Sequence, residues 1–146
     1  MSEKTGDWPD FIKQHFTKDV PFLKHMEISV DATGPGRAAI SLPLKPEYAN
    51  SYGIAHGGIA ALLVDTAAGV ALRTLKLTIV TVEMSVSYFA PVPLEGRLRA
   101  EATLVHRGRR ILHAEIAVLA PDGTLAAMGR AIYAVTGEDT GEYRKG

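Results

Sequence analysis

Residues 56–75 read HGGIAALLVDTAAGVALRTL, and the architecture turns on them. The stretch is rich in Ala and Leu and free of proline, and Ile59 to Leu75 is too long for an ordinary strand, so it predicts a helix. Between His56 and Arg73 the only charged residue is Asp65. A helix that is apolar all round must be covered on most sides. The longest apolar run, Gly57 to Leu72, is 16 residues, shorter than a bilayer crossing requires.

Downstream the period changes to two. Val80, Val82, Met84, Val86 and Tyr88 alternate with Thr81, Glu83, Ser85 and Ser87, the pattern of a half-buried strand. It recurs at Leu98–Leu104, Leu112–Val118 and Leu125–Tyr133, separated by turn signals at Pro91-Val92-Pro93, Arg107-Gly108-Arg109 and Pro121-Asp122-Gly123. These predict an antiparallel meander. Upstream, Glu27–Val30 and Arg37–Leu42 flank Thr33-Gly34-Pro35-Gly36 as a first hairpin, and Trp8, Phe11, Ile12 and Phe16 stand around Pro9 at near-helical spacing, which suits a short N-terminal helix. The expected class is α+β: a long central helix wrapped by a five- to six-stranded antiparallel sheet. Residues 1–24 read as an arm with a short helix, 25–137 as the domain, and 138–146 as a polar tail expected to fray.

The chain has 146 residues, 47% of them apolar, with 16 Lys+Arg against 16 Asp+Glu. That suits one globular domain and argues against a nucleic-acid partner, which needs a basic surplus. There is no cysteine, so disulfides, thiol catalysis and thiolate zinc sites are excluded. The first residues carry no apolar signal region, which makes a cytoplasmic protein with no membrane partner the expectation. No G-x-S-x-G elbow or two-histidine helix motif is present, and His15, His25, His106 and His113 lack metal-ligand spacing, so they read as surface or packing residues.

Asp65 is the most informative residue. A carboxylate on an apolar helix is costly to desolvate unless it is hydrogen-bonded, so it has either a structural partner or a task. Small residues in its stripe, Gly58, Ala61, Ala68 and Gly69, leave room beside it. His56-Gly57-Gly58 opens the helix, where unpaired backbone N–H groups and the positive dipole end welcome a developing oxyanion, and two glycines admit a substrate. The alternative is a tight turn with His56 as a cap or a packed core histidine.

The run Asn50-Ser51-Tyr52-Gly53-Ile54-Ala55-His56-Gly57-Gly58, followed by Leu63-Val64-Asp65-Thr66-Ala67, resembles the signature of hotdog-fold acyl-CoA thioesterases of the PaaI-like, phenylacetate-degradation type. Residues 81–91, TVEMSVSYFAP, are similar to that family's strand after the helix, and Gly129-Arg130-Ala131 to its closing strand. The resemblance implies Asp65 as nucleophile or general base and the Gly57 N–H as oxyanion donor. It implies Asn50 and His56 as residues that orient water, thioester or loop, and Thr81 as a hydroxyl near the attacking water. It further implies an acyl-CoA substrate, no resident cofactor or metal, and a homodimer or dimer of dimers (a homotetramer) in which Asp65 faces the partner subunit's Asn50, His56 and Gly57.

On their own chemistry, Asn50 could equally be a turn residue and Thr81 a solvent-facing strand residue. Gly58, Tyr88 and Phe89 are candidate substrate contacts. Together with Tyr48 and Tyr52 the aromatics suit an aryl or a medium-chain acyl group. Arg107, Arg109 and Arg110 offer forked donors for the phosphates of coenzyme A, or form a solvated turn. Competing readings are a hydratase of enoyl or 3-hydroxyacyl thioesters and a non-catalytic acyl-CoA binding protein. The nine-residue step from His56 to Asp65 favours the thioesterase.

Overall fold

The computed structural model describes residues 7–141. In chain order they form α1 (Trp8–Lys18), α2 (Pro21–His25), β1 (Ser29–Gly34), β2 (Arg37–Pro43), a 3-10 turn (Pro46–Tyr48), α3 (Gly57–Arg73), β3 (Leu77–Tyr88), β4 (Arg97–Arg107), β5 (Ile111–Leu119) and β6 (Leu125–Glu138). No helix among the described residues is long and apolar enough to cross a membrane.

All six strands join one antiparallel sheet in the order β1-β2-β4-β5-β6-β3, and α3 lies in its concave face. Leu63, Val64, Ala67, Val70 and Leu72 of α3 are fully buried against Ile40, Leu42, Leu98, Leu112, Ile116 and Val118 of the sheet. Each such side chain contributes roughly 1.5–3 kcal/mol of burial free energy. The helix approaches β6 so closely that a Cβ on Gly129 would stand 2.4 Å from Val64 Cγ1, so only glycine fits there. Inward-facing Ala127, Gly129 and Ala131 are small because the helix rides on them.

The structure revises four expectations. The helix runs Gly57–Arg73 rather than 59–75, because His56 caps it and the Thr74 hydroxyl donates back to Ala71 O before Lys76 turns the chain at φ 62°. The meander holds only for β4-β5-β6. β3 pairs with β6 at the sheet edge, while β4 pairs with β2. Pro91 and Pro93 deny β3 a tight hairpin, and the crossing segment is instead tied down by buried Val92, whose carbonyl accepts from Ala55 N at 2.9 Å.

The third revision concerns β3 itself. Its register slips between Thr81 and Glu83, leaving Val82 as a bulge that switches which residues face inward. Leu77, Ile79, Met84 and Val86 pack on the core, whereas Val80 and Val82 are 52% and 58% exposed. Lastly, the tail does not begin to fray at Glu138. Buried Asp139 pairs with Arg73, and Gly141 packs near Phe11 and Trp8. The rest of that tail, 142–146, lies outside the described residues. The N-terminal helix packs at the same end, with the Trp8 indole donating to Arg73 O at 2.8 Å.

Candidate active site

Two groups of predicted site residues sit at different stations along α3. At its N-terminus, His56 is the N-cap: its Nδ1 accepts from Gly58 N at 2.9 Å, which places the ring proton on Nε2. The Gly58 N–H is therefore taken. The Gly57 N–H has no partner among the described residues and is the backbone donor left open at this helix start. Asn50 folds the loop before the helix, its Oδ1 accepting from Tyr52 N at 2.9 Å and Ile54 N at 3.3 Å. The Tyr88 hydroxyl donates to Gly57 O at 2.6 Å, and its ring lies 3.4 Å from where a Gly57 Cβ would be. Asn50, His56, Gly57, Tyr88, Phe89, Pro91 and their neighbours line a cavity of about 360 Å³. Tyr48 and Tyr52 are not among its walls.

The second station is in mid-helix. Asp65 is half-buried on α3, and Thr81 reaches it from β3, donating to Oδ1 at 2.8 Å. The bulge at Val82 makes this possible, since it keeps Thr81 inward while Met84 and Val86 also face the core. Tyr133 of β6, paired with Thr81 across the strands, places its hydroxyl 2.7 Å from Asp65 Oδ1 and 2.7 Å from Asp65 O. Burial first, and the bond to Asp65 second, push the Tyr133 phenol well above its ordinary range, partly offset by the Thr81 hydroxyl. That shift favours the protonated phenol, whose one proton stands between the two Asp65 acceptors. Asp65 Oδ2 receives no hydrogen bond among the described residues.

Sequence reasoning missed Tyr133. The signal was present: Leu125, Ala127, Gly129 and Ala131 precede it at period two, and a tyrosine closing an inward stripe of small residues needs a partner for its hydroxyl.

The stations are eight residues apart, about 12 Å along the helix axis. Within one chain, Gly57 N–H and Asp65 cannot act on the same small group. Arg107, Arg109 and Arg110 are exposed at the β4–β5 turn, and the structure does not bring them to the Gly57 cavity. They lie at the other sheet end, where Leu112 pairs with Tyr133 and Val135 N donates to Arg110 O at 2.8 Å.

A single buried helix wrapped by this six-stranded sheet is the hotdog fold, and its class is that of enzymes handling acyl thioesters. The chain belongs to the thioesterase superfamily, whose family model matches residues 52–127, just over half of its length. It is 31% identical over 140 residues to a Halobacterium salinarum protein named as an esterase, covering 86% of this chain and 91% of that one. Human acyl-coenzyme A thioesterase 13 is 26% identical over 107 residues, 71% of this chain and 76% of its own. Among solved structures, a mutant of the phenylacetic acid degradation protein PaaI from Thermus thermophilus superimposes with TM-score 0.74 at 26% identity, over 79% of this chain and 98% of that one. The protein is a PaaI-like thioester hydrolase.

Proposed function

We propose that the protein hydrolyses an aryl- or medium-chain acyl-CoA to the carboxylic acid and free coenzyme A, as a dimer in which one chain's Asp65 works opposite the partner subunit's Gly57. The observation that carries this reading is the 12 Å separation, about eight helical rises, between two groups that must meet at one carbonyl. The edge strand β3, with Val80 and Val82 exposed, offers an unpaired rim for a second copy. The coenzyme A moiety is supported by the human relative, which is an acyl-coenzyme A thioesterase by name.

The Gly57 N–H holds the thioester oxygen as it gains charge, with the helix dipole behind it. Asp65 either attacks the carbonyl carbon through a carboxylate oxygen, giving a mixed anhydride that water then hydrolyses, or takes a proton from the attacking water and passes it to the departing thiolate. The C–S bond breaks in both routes, and the thiolate is a leaving group good enough for a carboxylate and an oxyanion donor to suffice. The reaction calls on no resident cofactor. Asn50 and His56 hold the loop and helix start that present the amide, while Tyr88 and Phe89 face the acyl group. The arginine turn, next to the strand pair that carries Tyr133, grips the nucleotide phosphates at the site its own Asp65 serves.

Thiol release from a panel of aryl- and alkanoyl-CoA thioesters tests the reading. Rapid release from at least one member, lost in Asp65→Asn with the protein still folded, is the expected result. Acyl-CoA binding without release from any member would contradict it.

A further inference from the structure

Among the described residues, Tyr133 is the one buried polar side chain that touches Asp65 and that the reaction, as written above, leaves without a task. It is 3% exposed, and its hydroxyl stands between two acceptors of the same residue, the helix carbonyl and the carboxylate. Gly69, one turn after Asp65, lies beside it: a Cβ there would stand 3.8 Å from the hydroxyl, an ordinary van der Waals contact. Thr81 approaches the same Oδ1 from the neighbouring strand. Two hydroxyls from two strands thus converge on one carboxylate oxygen.

We infer that Tyr133 is a positioning residue of the hydrolysis: with Thr81 it pins Asp65 Oδ1, fixing the rotation of the carboxylate so that Oδ2 is the oxygen that attacks the acyl carbon or deprotonates water. The inference rests on Asp65 being the reactive carboxylate. A carboxylate held from one side alone swings about its terminal torsion, which is broad and soft. A second donor, anchored in a strand beneath the helix, removes that freedom, and a misplaced reacting atom is costly in rate. Tyr133 itself neither attacks nor exchanges a proton. Burial and the neighbouring carboxylate both favour its protonated, donating form. The same bond ties β6 to α3, so the assignment separates a positioning role from a purely structural one only through kinetics.

The test compares Tyr133→Phe, 3-fluorotyrosine incorporated at position 133, and Asp65→Asn in steady-state thioester hydrolysis, with folding followed by circular dichroism. Tyr133→Phe is expected to lower kcat about 10- to 100-fold, the loss of one hydrogen bond to a charged group, with KM within about twofold. The fluorinated tyrosine, which keeps the ring and the donor, restores kcat to within about threefold of wild type. Wild-type kcat in Tyr133→Phe overturns the inference while Asp65→Asn is inactive. So does a loss that tracks the unfolded fraction, or one expressed in KM alone. An active Asp65→Asn overturns the underlying reading of Asp65 and this inference with it.

Discussion

The two stations of α3 are built by different means. At Gly57 the candidate group is main chain, and its supports, the His56 cap and the Asn50 loop, are close in sequence. At Asp65 the candidate group is a side chain, and its supports come from β3 and β6, 16 and 68 residues away. A local motif can set an amide in space because helix geometry does the rest. A carboxylate needs tertiary structure, here including a bulge, before it points anywhere in particular.

The variants that would break this contrast are ordered by expected effect. Asp65→Asn removes the carboxylate proposed to react at mid-helix and should lower kcat by roughly three orders of magnitude or more, measured by thiol release. At the other station, Gly57→Pro deletes the N–H and adds a ring beside Tyr88. Proline suits the first helical position, and His56 before it is already extended at φ −57°, ψ 137°. A loss of about 10²- to 10³-fold in kcat is expected, with Gly57→Ala, which keeps the amide, as the control for bulk against Tyr88. Gly129→Ala drives a methyl into Val64, the neighbour of Asp65, and should destabilise by about 1–3 kcal/mol in denaturant unfolding, with partial recovery in a Val64→Ala background. Thr81→Val should lower kcat by about tenfold and leave the Gly57 station intact, seen as unchanged KM.

The smallest effect lies away from both stations. Burial lowers the His15 imidazole below its ordinary value of 6.5, with Arg73 adding to the shift and the Asp19 bond and the Asp19 and Asp139 charges opposing it. A neutral imidazole is favoured in the fold, so this stabilisation is whole above that value and declines as pH falls through the lower folded value. Melting curves between pH 7 and 5 should show a shallower acid decline in His15→Phe, with thioesterase activity at pH 7 unchanged.

Much of this was legible in the sequence, and the illegible parts share a physical reason. The helix and the strands follow from local periodicity, and Asp65 stands out as a charge where apolar residues rule, while its pairing with the His56-Gly57-Gly58 motif is what the family resemblance implies. The place of β3 does not follow, because strand pairing is long-range and the proline segment after Tyr88 permits a crossing the turn signals do not specify. Nor does the bulge: the alternation from Val80 to Tyr88 is unbroken in sequence, and the register slips only against β6. Tyr133 stayed hidden because its partner is 68 residues away. Asn50 and His56 shape the turn and the cap, and both stand at the wall of the cavity.

The claim that the two stations meet across two chains is tested most directly by complementation. Asp65→Asn and Gly57→Pro chains, each inactive alone, are co-expressed and assayed as a mixed population. Random pairing leaves half the dimers mixed, each with one site holding an intact Asp65 opposite an intact Gly57, so about a quarter of wild-type activity should return. If the mixed population contains heterodimers and remains as inactive as either parent, the two groups do not act together across the interface.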